Sequence, residues 1–181
     1  MESKMIFSGP LDFPVNKKVV QHYELPPVRN ELSITLRLKI DSHNSVKYPT
    51  IFHKGVTNEI RNPALFLSPS TSAPIPVCST NTNMNLCLTV GTGLETNKWY
   101  HIGYTLSEPN KRMDFYIDGS WAGSKSIEQV QTQIIMFNQD PLYIGYSFVN
   151  GDFKGKIGNF RYYNWCLSAN EIAENFVDTC Q

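Results

Sequence analysis

The residues in this 181-residue chain best suited to holding a ligand are aromatic and amide or acid side chains beside turns. Trp121 follows the Asp118-Gly119 turn, and Tyr146, Phe148, Asn150 and Asp152 surround a second turn at Asn150-Gly151. Aromatic faces take the apolar side of a sugar ring, and Asn and Asp side chains bond its hydroxyls. Turns on a rigid β-scaffold are where such groups are free to act. These five residues are therefore the candidate ligand-binding set. Asn-Gly is also a plain hairpin signal, and a purely structural role for this turn stands beside the functional one.

Motifs for catalysis are missing. The sequence has no Gly-x-Ser-x-Gly elbow, no phosphate-binding Gly-x-x-x-x-Gly-Lys-Ser/Thr loop and no His-Glu-x-x-His. No Cys-x-x-Cys occurs and the four histidines are scattered, so neither a structural zinc nor any other cofactor is expected. His101 sits between aromatics on a strand and reads as a structural histidine. Trp99 reads as core. The expectation is a protein without catalytic residues.

Lys and Arg total 16 and Asp and Glu total 16, which gives no long-range pull toward nucleic acid or an anionic membrane. No apolar run approaches the roughly 20 residues a membrane helix needs. The N-terminal MESKMIFSGP has no signal-peptide core, and no Asn-x-Ser/Thr sequon occurs. The four cysteines, Cys78, Cys87, Cys166 and Cys180, allow three disulfide pairings. Cys78 with Cys87 would bracket a short loop; free thiols are the other reading.

The elements that would carry these residues are strands. Leu32, Ile34, Leu36, Leu38 and Ile40 alternate with Ser33, Thr35, Arg37 and Lys39, which predicts a strand half in a core and half in water. Asn97 to Gly119 predicts a meander: Trp99 to Leu106, a turn at Glu108-Pro109-Asn110-Lys111, an alternating Arg112 to Ile117, and a type I′ hairpin at Asp118-Gly119. Further strands are expected at Met5–Phe7, Val19–Leu25, Thr50–Lys54, Ala64–Leu67, Leu86–Val90, Leu142–Phe148 and Phe153–Trp165, with Gly158 marking a bulge. The Pro-, Ser- and Asn-rich stretch from Ser68 to Asn85 reads as a long surface loop. Ser168-Ala169-Asn170-Glu171 is a capping box opening a two-turn helix on the sandwich edge. With 41% hydrophobic residues the chain can build a real core. The predicted fold is all-β: a two-sheet antiparallel jelly roll over residues 1–181, with one short C-terminal helix.

In this order the blocks resemble the laminin-G-like, concanavalin A-like domains. They are Leu32-Ser33-Ile34-Thr35-Leu36, Ile51-Phe52-His53-Lys54-Gly55, Trp99-Tyr100-His101-Ile102, Phe115-Tyr116-Ile117-Asp118-Gly119, Leu142-Tyr143-Ile144-Gly145, Phe153-Lys154-Gly155-Lys156-Ile157, Arg161-Tyr162-Tyr163-Asn164 and Leu167-Ser168-Ala169-Asn170-Glu171-Ile172. The resemblance implies a non-catalytic recognition module for a glycan, a glycosylated protein or a protein partner. It also implies an extracellular or virion-surface setting, while the missing leader leaves the cytoplasm open. The alternative is a structural module of a larger assembly, such as a virion surface, fibre or cytoskeletal complex, with no small ligand. Glucanases of this fold carry Glu-x-Asp-x-Glu on one strand face; no such triplet is present here. Where calcium-binding relatives place acidic residues, this chain has Gly158-Asn159 and Leu88-Thr89-Val90, so no calcium site is expected.

Overall fold

A computed structural model describes residues 1–127, 132–147 and 150–180. Two antiparallel sheets face each other. The larger contains β1 (Ser3–Phe7), β13 (Gly155–Tyr163), β4 (Glu31–Ile40), β9 (Trp99–Ser107), β10 (Arg112–Ile117) and β11 (Ser120–Ser126) in that spatial order, with β2 (Leu11–Phe13) pairing beside β13. The smaller runs β3 (Lys18–Val20), β12 (Leu142–Ile144), β5 (Thr50–Lys54), β6 (Ala64–Leu67), β7 (Pro74–Cys78) and β8 (Leu86–Cys87). This is the predicted concanavalin A-like sandwich.

Period-2 alternation puts one face of each strand into the core between the sheets. Leu32, Ile34, Leu36, Leu38 and Ile40 of β4 meet Tyr100, Ile102, Tyr104 and Leu106 of β9, and the second sheet supplies Phe52, Leu65 and Ile144. Phe52 stands edge-on to Tyr104 and Phe160 at centroid separations of 5.7 and 6.0 Å. The Tyr104 hydroxyl donates to the Val77 carbonyl at 3.0 Å, giving a buried polar group its partner across the sandwich.

The hairpin at Asp118-Gly119 is present. Ile117 pairs with Ser120, and the two turn residues have φ of 50° and 77°, the positive values a type I′ turn needs. The Asp118 carboxylate also accepts the His101 amide at 2.8 Å, tying the turn to β9.

Elsewhere the expectations need correction. The stretch from Ser68 to Asn85 is not all loop: Pro74–Cys78 forms β7, a largely buried strand between β6 and β8. The carbonyls of Pro74 and Pro76 accept from Val90 and Leu88. Their donorless nitrogens therefore face the lightly paired side, where proline is tolerated. Val19 to Leu25 is not one strand, since β3 stops at Val20 and a 3₁₀ turn, His22–Glu24, follows. The strands expected to reach Val90 and Phe148 are shorter, β8 ending at Cys87 and β12 at Ile144.

The polar face of β4 does not simply meet water. Ser33 and Thr35 are buried because the C-terminal segment lies over them. Ser33 Oγ donates to the Trp165 carbonyl at 2.8 Å and accepts the Leu167 amide at 2.9 Å. That segment ends in α1 (Ala169–Thr179), which is 11 residues long and lies on the outer face of the larger sheet, where two turns on the sandwich edge were expected. Ser168 caps it, accepting the Glu171 amide at 3.2 Å while the Glu171 carboxylate accepts the Ser168 amide at 2.7 Å. Ile172 is fully buried against Tyr116, Tyr163 and Leu167, a contribution of about 1.5–3 kcal/mol for a side chain of this size. The helix can approach because Gly103 has no side chain: a Cβ there would stand 2.9 Å from Ile172 Cδ1.

All four cysteines are free. Cys78 packs in the main core, whereas Cys87, opposite Val77, joins the cluster on the outer face of the smaller sheet. Their side chains point to opposite sides of one sheet, so neighbouring positions do not make a disulfide.

Candidate functional site

Two faces of the sandwich look outward, and each is partly covered. The larger sheet's face is partly covered by α1. The smaller sheet presents Ala64, Phe66 and Val77, with Ile75 and Cys87 packed against them, an apolar cluster outside the main core. Above it lies a groove of about 370 Å³ with Phe66, Ile75, Val77 and Cys87 as floor. Its walls are Tyr48, Arg61, Asn85, Thr89 and Asn150.

Arg61 is the organising wall. Its guanidinium lies 5.3 Å over the Phe66 ring. One terminal nitrogen donates to Asn85 Oδ1 at 2.6 Å and the other to Asn58 Oδ1. These partners are neutral, and no carboxylate pairs with Arg61 among the described residues. Burial lowers its pKa from the ordinary arginine value, the sign expected when a cation is drawn out of water. Beneath the groove, His53 is buried with Nδ1 3.0 Å from Ser147 Oγ and Nε2 2.7 Å from the Ile60 carbonyl. Burial is the main cause of its lowered pKa.

The five sequence-predicted residues do not form one rim. Asn150 lines the groove. Tyr146 and Asp152 are joined through Lys17, whose ammonium is 2.7 Å from Asp152 Oδ2 and 5.1 Å from the Tyr146 ring centroid. Tyr146 also stands edge-on to Tyr143 at 5.5 Å. Trp121 is elsewhere. It pairs with Tyr116 on the outward face of the larger sheet, is 56% exposed, and donates its indole N–H to Asp114 at 2.8 Å. Phe148 lies outside the described residues. Sequence reasoning missed Tyr48, Arg61, Asn85 and Thr89, which lie in short connections with turn composition and carry no local signal for convergence.

His101 is buried as expected of a structural histidine, with Nε2 2.8 Å from Asn175 Oδ1 of α1, but its Nδ1 has no partner among the described residues. Trp99 is not core. It is half-buried on the outer face with the Arg37 guanidinium 4.7 Å from its ring. Among the described residues no group of three or more His, Cys, Asp or Glu side chains is placed to hold a metal, and no helix is long and apolar enough to cross a membrane.

Two sheets in this order, capped on one face and grooved on the other, define a lectin-type jelly roll. The profile of the concanavalin A-like lectin/glucanases superfamily matches residues 17–173, and the chain belongs to that family. Among curated proteins no sequence match is found. Solved structures with a similar fold include the botulinum neurotoxin serotype D binding domain, with 18% identity and a TM-score of 0.65 over 98% of this chain and 46% of that one. A Trypanosoma rangeli sialidase has 17% identity and a TM-score of 0.63, over 84% of this chain and 23% of that one. A heptameric SAP-like pentraxin from Limulus polyphemus has 16% identity and a TM-score of 0.58, over 92% of this chain and 72% of that one. This chain thus spans less than half of the toxin domain and of the sialidase. At these identities the likeness is one of fold.

Proposed function

We propose that this protein is a non-catalytic recognition module that binds a glycan, or a glycosylated or protein partner, in the groove across its smaller sheet. The observation that carries the reading is the pairing of an apolar floor with an arginine whose guanidinium, among the described residues, donates to neutral amides and to no carboxylate. Tyr48 and the half-buried Ile75 offer surface to the apolar side of a sugar ring or to a side chain. Arg61, Asn85, Thr89 and Asn150 offer hydrogen bonds at the walls. Among the described residues no carboxylate lines the groove, while glycoside hydrolysis by the usual route needs two flanking the bond. Binding without turnover is the consequence.

Asn150, Tyr146 and Asp152 extend the proposed contact surface from the groove along the Lys17 side. Trp121, on the opposite face, would serve a separate contact. A single-site sugar affinity in the millimolar to micromolar range corresponds to about 4–8 kcal/mol, which one stacked ring and a few hydrogen bonds can supply. A glycan array on the whole chain identifies a ligand, and NMR titration maps it. Shifts centred on Phe66, Ile75 and Asn85, and weakening by Arg61→Ala and Tyr48→Ala, support the proposal. Shifts confined to the α1 face overturn it.

A further inference from the structure

A second cavity, of about 240 Å³, opens beside the end of β5 and is lined by Lys54, His22, Arg29, Gln139, Tyr162 and their neighbours. Lys54 is only 2% exposed. Its ammonium donates to the Asn138 backbone carbonyl at 2.6 Å and to Asn138 Oδ1 at 3.1 Å. Both are neutral acceptors. Among the described residues no carboxylate reaches ion-pair distance of Lys54 Nζ. Asp140 acts on it only at longer range, and its Oδ2 accepts the Val56 amide at 3.3 Å.

A buried ammonium is ordinarily paired with an anion, because taking it out of water is costly. Here Arg29 adds positive charge, whereas burial and Lys54 lower the His22 pKa and favour its neutral imidazole. Arg29 stands exposed at the wall, and His22 presents a buried Nδ1 with no partner among the described residues. Asn138 is meanwhile held in place, its side-chain amide donating to the Lys54 and Asn62 carbonyls at 3.1 and 3.3 Å. Among the described residues the lining contains no acidic side chain. A buried ammonium, an exposed guanidinium and an imidazole therefore line a preformed space that has no carboxylate among its described lining residues, with Asp140 acting on Lys54 and His22 only from longer range.

We infer that this cavity is an anion site, taking a compact oxyanion of the carboxylate or phosphate class against Lys54, Arg29 and His22. Its size is below the roughly 300–1,000 Å³ of pockets that enclose drug-sized ligands, so the occupant is a small anion or the charged end of a longer molecule. Burial holds the Lys54 ammonium down at about 8; a bound anion opposes that loss of charge. The site is separate from the groove, and its failure leaves the groove proposal standing.

The test is NMR titration of the full chain with sodium phosphate and, separately, sodium acetate, with sodium chloride at matched ionic strength as reference. Saturable shifts at the amides of Lys54, Asn138 and Gln139 with either oxyanion, absent with chloride, are expected; the stronger arm assigns the class. Lys54→Met should abolish them, and Arg29→Gln should weaken affinity by about threefold or more, the size of one partly exposed charge contact. Shifts that merely track ionic strength, or that survive unchanged in Lys54→Met, overturn the site. If Lys54→Met fails to fold, unchanged affinity in Arg29→Gln overturns it equally.

Discussion

Gly119 and Phe176 lie in direct contact, the hairpin turn of the larger sheet against the last turns of α1. A Cβ on residue 119 would stand 2.9 Å from Phe176 Cδ1. Gly119 also has φ of 77°, a region closed to β-branched side chains. Gly119→Val therefore meets two costs, backbone strain and a clash with the helix. It should lose more than about 1 kcal/mol, read as a lower thermal midpoint. Phe176→Ala in the same background relieves the clash alone, so a partial recovery in the double variant is the expected sign of contact between turn and helix.

The helix has a second anchor at its start. Ser168 and Glu171 satisfy each other's backbone amides, and that bonding is the first cause of the lowered Glu171 pKa. Ser168→Ala should cost about 0.5–2 kcal/mol, the usual range for an N-cap hydroxyl. Chemical denaturation with an unchanged slope and a lower midpoint would show the loss. An unchanged midpoint would mean that α1 is held by Ile172 and its neighbours alone.

Much of this fold could be read from the sequence because strict alternation and turn chemistry are local signals. β4, β9 and β10 follow from residues within each strand, as do the hairpin and the capping box. β7 was hidden because Pro74 and Pro76 carry a loop signature, and only the position of β8 shows their nitrogens facing a lightly paired side. The burial of Ser33 depends on the segment at Trp165 and Leu167 that leads into α1, more than 130 residues further on, which no window along β4 can contain. The groove was harder still. Asn150 was suggested by its turn, but Arg61 is singled out only by where Phe66 and Asn85 stand in space. Tyr146 and Asp152 were read as ligand groups, yet each has Lys17 as a partner.

Opposite orientation of Cys78 and Cys87 predicts a definite order of thiol chemistry. Cys180 is exposed and Cys87 half-buried, while Cys78 is buried in the core with its thiol pushed up to about 12, first by burial. The thiolate is the reacting species. Alkylation of the native chain should therefore mark Cys180 and Cys87 well before Cys78, which reacts only on unfolding. Mass spectrometry of timed samples reads the order. A Cys78–Cys87 disulfide in mildly oxidised native protein would contradict the placement of the two side chains.

Lys54 predicts an unusual pH dependence of stability. Burial lowers its pKa in the folded state to about 8, from the ordinary value of 10.5 that the unfolded chain retains, with distant Asp140 opposing the shift. Below about pH 8 both states hold the proton, and the folded state bears the full cost of a buried charge. Between about 8 and 10.5 the unfolded chain binds more protons than the folded one, so stability from this group rises with pH. Above 10.5 the cost is gone. His22, Arg29 and Asp140 surround the site, and of these His22 titrates below the window: burial and Lys54 both lower its pKa. Denaturant midpoints measured from pH 7.5 to 10.5 should therefore carry an upward contribution in the parent chain that Lys54→Met lacks. If the two profiles run parallel throughout that range, the folded-state amine titrates like a free lysine and the ammonium is not held in a desolvated site.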